Sequence, residues 1–506
     1  MISEVNKEHD LRKKVIPCLI VIGIIGLLLR LHYLPFEIPI VLDALTYFNY
    51  ANDISITGKL PVEYNFPNNG WPLFLSMFFS LFTTSDFLEM MNLQRIITSM
   101  ISVSTIIPVY LLCTRFFRKE YAIFGASLFI FEPRIIQNSL QGTTEPLFIF
   151  FGTSAMFLFF SNKTKWIYWS FALIALFSII RYEGLLMIIP FSIMYLIRLK
   201  KNKESIFKYI LAITIFVLIL LPFAYLRTET IGQDGLVSHV SAGVIATDYL
   251  VNDPNNGIGF SFFTNGLMNL VKFLGWALIP FFITLVPFGI YQLFKKRNYE
   301  KHTIIFISII ATIPALYAYA RDIQDTRYLY VIFPIFSLIS LYTIEKISKE
   351  FNLTKIIICI SIVIIASVVF LELKKIDYEH EMEAYEIARI VYTNTFVTND
   401  FYPETAYLRV IEFEKEFPIE VKGRNLGPKI LPTQGFSTIE EFIDANRYLE
   451  LDHLVVDNRD NRPEYLKNVF HNEDKYPFLI KKYDSSEYGF EYHVKIFEID
   501  YGKLGD

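Results

Sequence analysis

The stretch Val41 to Leu81, VLDALTYFNYANDISITGKLPVEYNFPNNGWPLFLSMFFSL, decides how this chain is read. It follows the first long apolar segment, Val15 to Leu34, and carries an isolated carboxylate, Asp43, one helical turn before Tyr47. A Pro/Asn/Gly-rich turn and a short apolar run, Trp71 to Phe82, come next. If that run crosses a membrane, every later segment changes sides. About a dozen residues fall short of the ~20 that span the hydrocarbon core, so the run reads as an interfacial or re-entrant helix.

The rest of the chain reads as a membrane scaffold around this stretch. Of its 506 residues, 53% are hydrophobic, 16% aromatic and only 19% charged, with a mean hydropathy of +0.38. That composition describes a polytopic membrane protein rather than a soluble domain. The net charge of -4 is too small to name a partner, and no basic run suggests nucleic acid. Cys18, Cys113 and Cys359 all fall in apolar segments, which argues against a disulfide framework or a zinc site.

Segments long enough to span begin near Val15, Leu88, Tyr121, Thr144, Lys165, Glu183, Ile206, Lys272, Thr303, Arg327 and Lys355, about eleven crossings. The first is longer than a signal-peptide core and lacks a small-residue cleavage site, so it is expected to stay as an anchor. With the short run not crossing, every second connection is basic: Arg12 to Lys14, Arg115 with Arg118 and Lys119, Lys163 with Lys165, Arg198 to Lys203, Lys295 to Lys301, and Lys346 to Lys355. Cytoplasmic loops carry such an excess, so the N-terminus is expected in the cytoplasm of a plasma-membrane-type bilayer, with the Asp43 stretch and everything after about Lys374 outside. The chain therefore divides into a transmembrane domain, 1–373, with a first external loop at 35–87, and an extracytoplasmic domain, 374–506. In the tail, apolar runs at Phe396-Val397, His453 to Val456 and Val494 to Phe497 alternate with helical stretches at Glu379 to Thr393, Thr438 to Tyr448 and Pro463 to Phe470, the pattern of a small α/β layer. No phosphate loop or nucleophile elbow occurs in it.

Ionisable residues gather at the outer ends of the spans: Asp43, Glu132, Arg134, Glu145, Arg181, Glu183, Arg321, Asp322, Asp325 and Arg327. Charge at that depth is costly and marks function. Arg181 and Glu183 join spans of only about 22 Å, so their hairpin tip should be recessed below the outer surface. The plain alternative is that they only pair with one another. Asp43 has a similar alternative, as a solvated loop residue or helix cap. Against it, the helical spacing of apolar residues from Leu42 to Ile54 lets that segment lie along the interface and hold Asp43 over the tip. Tyr33, Tyr47, Tyr50, Tyr64 and Trp71 fit any interfacial aromatic belt.

The order of these features resembles the GT-C superfamily of membrane glycosyltransferases, in particular the protein O-mannosyltransferase and aminoarabinose-transferase branch (family 39-like). The resemblance rests on Asp43 with Tyr47, Asn69-Gly70-Trp71-Pro72-Leu73, Gln94-Arg95, Gly142 to Phe148, Arg181-Tyr182-Glu183-Gly184-Leu185, and Thr326-Arg327-Tyr328 with Pro334. It covers about the first 345 residues. The family's acidic pair in the first loop is Asp43-Ala44 here, and Glu145 stands where Asp is common. The Trp-Trp-Asp signature of oligosaccharyltransferases is absent, which argues against en bloc transfer to asparagine. The resemblance implies a GT-C-like fold and an inverting transfer of sugar from a polyprenyl (dolichyl) phosphate to a hydroxyl of a protein, lipid or glycan outside the membrane. A phosphate leaving group needs charge stabilisation, which Arg181 and Arg327 would supply, with Tyr47, Glu183 and Arg321 also binding substrate. Asp43 would be the general base, and Glu145 would orient the acceptor or share a divalent metal ion with Asp43. A transporter or flippase, or a scaffold that presents the tail, remains the alternative, although transporters concentrate polar groups at the midplane and these spans do not.

Overall fold

The computed structural model describes residues 2–62, 67–82, 84–161, 164–198, 203–252, 259–295, 298–348, 353–394, 397–400, 404–417 and 429–504. Tyr64, Phe396 and the loop cations Lys163, Lys200, Lys201, Lys296, Arg297 and Lys349 lie outside them. By compactness the chain forms two units, one comprising Met1–Leu34, Gly58–Leu81 and Leu93–Leu371, the other Pro35–Thr57, Phe82–Asn92 and Glu372–Asp506. The first-loop segments 35–57 and 82–92, assigned from sequence to the transmembrane part, thus group with the tail.

All eleven expected spans overlap helical segments. Among the described residues six helices are long and apolar enough to cross a bilayer: Val15–His32, Phe87–Cys113, Ile206–Ile231, Tyr299–Ala320, Thr326–Ile347 and Thr354–Thr393. Their outward faces are apolar and exposed, Ile20, Leu218 and Ile362 among them, as a surface covered by lipid should be. The span expected from Lys272 is instead a broken pair, Phe262–Ala277 and Phe282–Lys295, bent by 113° around the Pro280 turn, because a proline cannot continue the ladder of amide bonds. The remaining four are shorter helices: Lys119–Ile130, Glu145–Phe159, Thr164–Ile180 and Ile188–Arg198. Glu132, Arg134, Glu145, Arg181 and Glu183 enter the fold near the ends of these short helices.

Two breaks shape that edge. After Thr164–Ile180 the backbone opens to an extended conformation at Arg181 and tightens into a 3-10 turn, Tyr182–Met187, before the next helix. After Tyr299–Ala320 the same sequence of events recurs at Asp325, which is extended and caps the 3-10 turn Thr326–Ile332 by accepting from the Arg327 N–H at 2.8 Å.

In the second unit, helix Leu42–Thr57 buries Leu45, Phe48 and Ala51 on one face, and Phe48, Phe87 and Phe417 form a ring cluster with centroids 5.3 to 5.9 Å apart. The tail is the α/β layer expected. Strands β1 (Val397–Asn399) and β2 (Lys429–Leu431) pair in parallel, while β3 (His453–Asp457), β4 (Leu479–Asp484) and β5 (Val494–Ile499) form an antiparallel sheet in the order β3-β5-β4. Asn399 joins the two sheets: its amide donates to the Val455 carbonyl and accepts from the Val455 N–H, both at 2.7 Å. Helices Ile439–Asn446 and Glu464–His471 cover the core around Ile443, Leu454 and Phe497.

Candidate active site

Arg181 is the centre of the best-defined charged site in the first unit. Its Nη1 donates to Glu145 Oε1 at 2.6 Å and to Thr144 Oγ1 at 3.3 Å, and its Nη2 to Glu183 Oε1 at 3.0 Å. Phe148 and Tyr328 each present a ring 5.8 Å from the guanidinium carbon. Phe148 is itself stacked on Phe177, centroids 3.7 Å apart. Glu145, Arg181, Glu183, Phe148, Phe177 and Tyr328 line an open-mouthed cavity, with Arg327 on its wall and an apolar lining that includes Met187, Ala311 and Pro314. The Arg327 Nε donates to Asp325 Oδ2 at 2.6 Å.

Local sequence explains how the parts are held. Thr144 and Pro146 open the helix that begins at Glu145, so this carboxylate sits in the first turn, where a helix favours negative charge. Gly70 lies against the Ile179–Ile180 backbone; a Cβ there would come within 2.7 Å of the Ile179 C and O and the Ile180 N. Next to it, Asn68 Oδ1 accepts from the Tyr182 N–H at 3.3 Å. Trp71 Nε1 and Gln94 Nε2 both donate to the Gly142 carbonyl, at 3.1 and 2.7 Å. Gly142 has φ +77°, and a side chain there would meet Gln94, so only glycine fits both the backbone and the space. The Asn-Gly-Trp turn, Gln94 and the Gly142 loop are thus one support for Glu145 and Arg181.

Of the seven residues singled out by sequence, Glu145, Arg181, Glu183 and Arg327 line this one cavity. Arg321 does not: it is exposed at the end of helix Tyr299–Ala320, where its guanidinium reaches the Tyr317 hydroxyl at 3.3 Å. Asp43 and Tyr47 belong to the other unit. Asp43 is exposed in the first turn of Leu42–Thr57, just after Leu42, whose φ of 55° is a left-handed strain that an aliphatic residue rarely accepts, and Tyr47 is buried. Among the described residues no group of three or more His, Cys, Asp or Glu side chains gathers in a way that holds a metal ion. Glu132 and Arg134 have a structural role. Glu132 is fully buried and caps helix Pro133–Ser139 through the Arg134 N–H at 2.6 Å, while the Arg134 guanidinium reaches the Ile279 carbonyl.

Sequence reading missed Arg30, which is fully buried in the first span. It donates to Ser139 Oγ at 3.0 Å, Ser102 Oγ at 2.9 Å and the carbonyls of Gly26 and Ile130 at 2.9 and 3.2 Å. The signal was available, since a lone arginine in an otherwise apolar span requires partners.

A family model described as dolichyl-phosphate-mannose-protein mannosyltransferase matches residues 70–226. No curated protein matches the chain in sequence. Among solved structures, the Archaeoglobus fulgidus oligosaccharyltransferase in complex with zinc and sulfate is 15% identical, with a TM-score of 0.54 over 86% of this chain and 68% of that one. ArnT from Cupriavidus metallidurans bound to undecaprenyl phosphate is 9% identical, with a TM-score of 0.55 over 96% of this chain and 98% of that one. At such identities the likeness is one of fold. The mannosyltransferase model runs through Gly70, Gln94, Gly142, Glu145, Arg181 and Glu183, and the fold of ArnT is shared along 96% of this chain.

Proposed function

We propose that the chain is an inverting glycosyltransferase that moves a sugar from a polyprenyl-phosphate donor to a hydroxyl acceptor at the extracytoplasmic face. The observation that carries this is the cavity in which Arg327, Arg181, Glu145 and Glu183 meet between charged helix ends and an apolar lining. A lipid-linked phosphosugar needs that combination: apolar contact for the isoprenoid, cationic charge for the phosphate, and acceptors for sugar hydroxyls. Arg327 is the better placed cation, since it makes a direct ion pair with one carboxylate, Asp325, whereas Arg181 makes direct pairs with two. Arg181 then serves chiefly to fix Glu145 and Glu183, with a weaker share in phosphate binding, and Arg321 stands further out.

Asp43 is proposed as the general base, a reading supported by its place in the first external loop and by its exposure at the start of a helix. It would accept the acceptor's proton while the sugar–phosphate bond breaks on the opposite face of the ring. Basic loops on alternate connections support a cytoplasmic N-terminus and an extracytoplasmic tail. The test is transfer of sugar from a synthetic polyprenyl-phosphate donor by purified protein. Asp43→Asn should lower turnover by about 10² to 10⁴ while folding and donor binding persist. Parental turnover in that variant, at a matched Tm, rejects the base assignment, and no turnover of any such donor by the parent rejects the function.

A further inference from the structure

Among the described residues, two carboxylate oxygens in the cavity have no hydrogen-bond partner, Glu145 Oε2 and Glu183 Oε2, although both atoms are buried. Their side chains are only 6% and 13% exposed. Each glutamate spends its other oxygen on the same guanidinium, Arg181. Arg181 lies between both glutamates, and Arg327, paired with Asp325, also faces Glu145, so these two cations stand against three carboxylates and leave one negative charge in excess. A buried acceptor left empty costs free energy that a ligand recovers by donating to it. The corner therefore calls for hydroxyl or ammonium donors and repels anions.

Resting on the donor class proposed above, we infer that Glu145 and Glu183 form the sugar subsite, that it takes a neutral or amine-bearing sugar and rejects a carboxylate-bearing one, and that Glu183 sets this discrimination. Glu145 lies in the first turn of a helix, whose N-terminus offsets part of its charge. Glu183 sits within the Tyr182–Met187 turn beside the cavity. A uronate would bring a second unmatched carboxylate into this low-dielectric corner, whereas an amino sugar would supply the missing positive charge.

The experiment measures binding of three synthetic polyprenyl-phosphate sugars, carrying glucose, glucosamine and glucuronate, to the full chain in lipid nanodiscs with a metal chelator present. Bare polyprenyl phosphate is the reference. The glucuronate lipid should bind on the order of 30-fold more weakly than the glucose lipid, and the glucosamine lipid at least as tightly as glucose. In Glu183→Gln, which keeps the shape and removes the charge, the gap between glucose and glucuronate should shrink to a few-fold. The inference is overturned if the parent binds glucuronate as well as glucose, or if the gap is the same in Glu183→Gln. The parent measurement stands whether or not the variant folds. If all three lipids bind no better than the bare phosphate, the subsite itself is rejected while the donor class survives. If even the bare phosphate fails to bind, the donor class falls and this inference with it.

Discussion

Gly70→Ala adds one uncharged methyl group, and it should disable the site. The new Cβ would lie 2.7 Å from three backbone atoms of Ile179 and Ile180, where ordinary contact begins at 3.4 Å, so one segment must move by 0.7 Å. No rotamer relieves a clash with backbone, and the residue displaced is the neighbour of Arg181. Overpacking of this kind costs roughly 1–3 kcal/mol in stability. The effect on catalysis should be larger in proportion, because a misplacement near 1 Å can lower a rate by about 10². The assay is sugar transfer from a polyprenyl-phosphate donor together with a melting curve. The control is Gly275→Ala, in helix Gly259–Ala277, where a Cβ meets nothing within 4 Å and the change should be neutral. Turnover of Gly70→Ala within about twofold of the parent would refute the view that this contact positions Arg181.

Arg327→Ala should lower turnover by about 10² to 10³ through loss of charge at the phosphate, and Arg327→Lys should recover only part of it because lysine lacks the planar fork; kinetics at varied donor concentration check both. In the tail, Asp457 is 1% exposed and accepts from Arg462, with the closest contact at 2.5 Å, and from the Tyr492 hydroxyl at 2.8 Å. Arg462→Ala strands that carboxylate and should cost about 3 kcal/mol, near the lower limit for a broken buried pair because Tyr492 still donates, as read from the thermal or urea unfolding of the tail. Hydrogen bonds from Lys481 and Lys495, both at 2.9 Å, hold the Glu473 carboxyl below its ordinary range. A depressed folded pKa means that its contribution is complete above the unfolded glutamate pKa of about 4.3 and is lost as pH falls through the folded value. Glu473→Gln should accordingly flatten the acid limb of tail stability below that pH and leave its slope near neutrality unchanged.

Sequence alone determined the membrane class, the positions of the long apolar helices and the α/β character of the tail, because each follows from local patterning: long apolar runs, and short apolar strands between amphipathic helices; it did not mark helices Pro133–Ser139, Val237–Asn252 and Glu404–Glu416. It also singled out Arg181 and Glu183 together at the joint of two short helices, and both line the cavity. Lengths were less legible where a run stays apolar through a break. The run from Lys272 to Lys295 reads as one span, yet the Pro280 turn bends it by 113°.

Only the tertiary structure decided which charges meet. Glu145 and Arg181 are 36 residues apart, and nothing local in either motif says that this carboxylate will accept from that guanidinium. The same holds for the Gly142 carbonyl, which receives Trp71 and Gln94 from two other segments, and for residues 35–57 and 82–92, which group with the tail rather than with the spans beside them in sequence. Local periodicity reports which face of an element is apolar, and that is fixed within a few turns. The partner of a buried charge is fixed by desolvation and close approach between distant segments, at Gly70 and Gly142 by the absence of a side chain, and those terms exist only once the chain has folded.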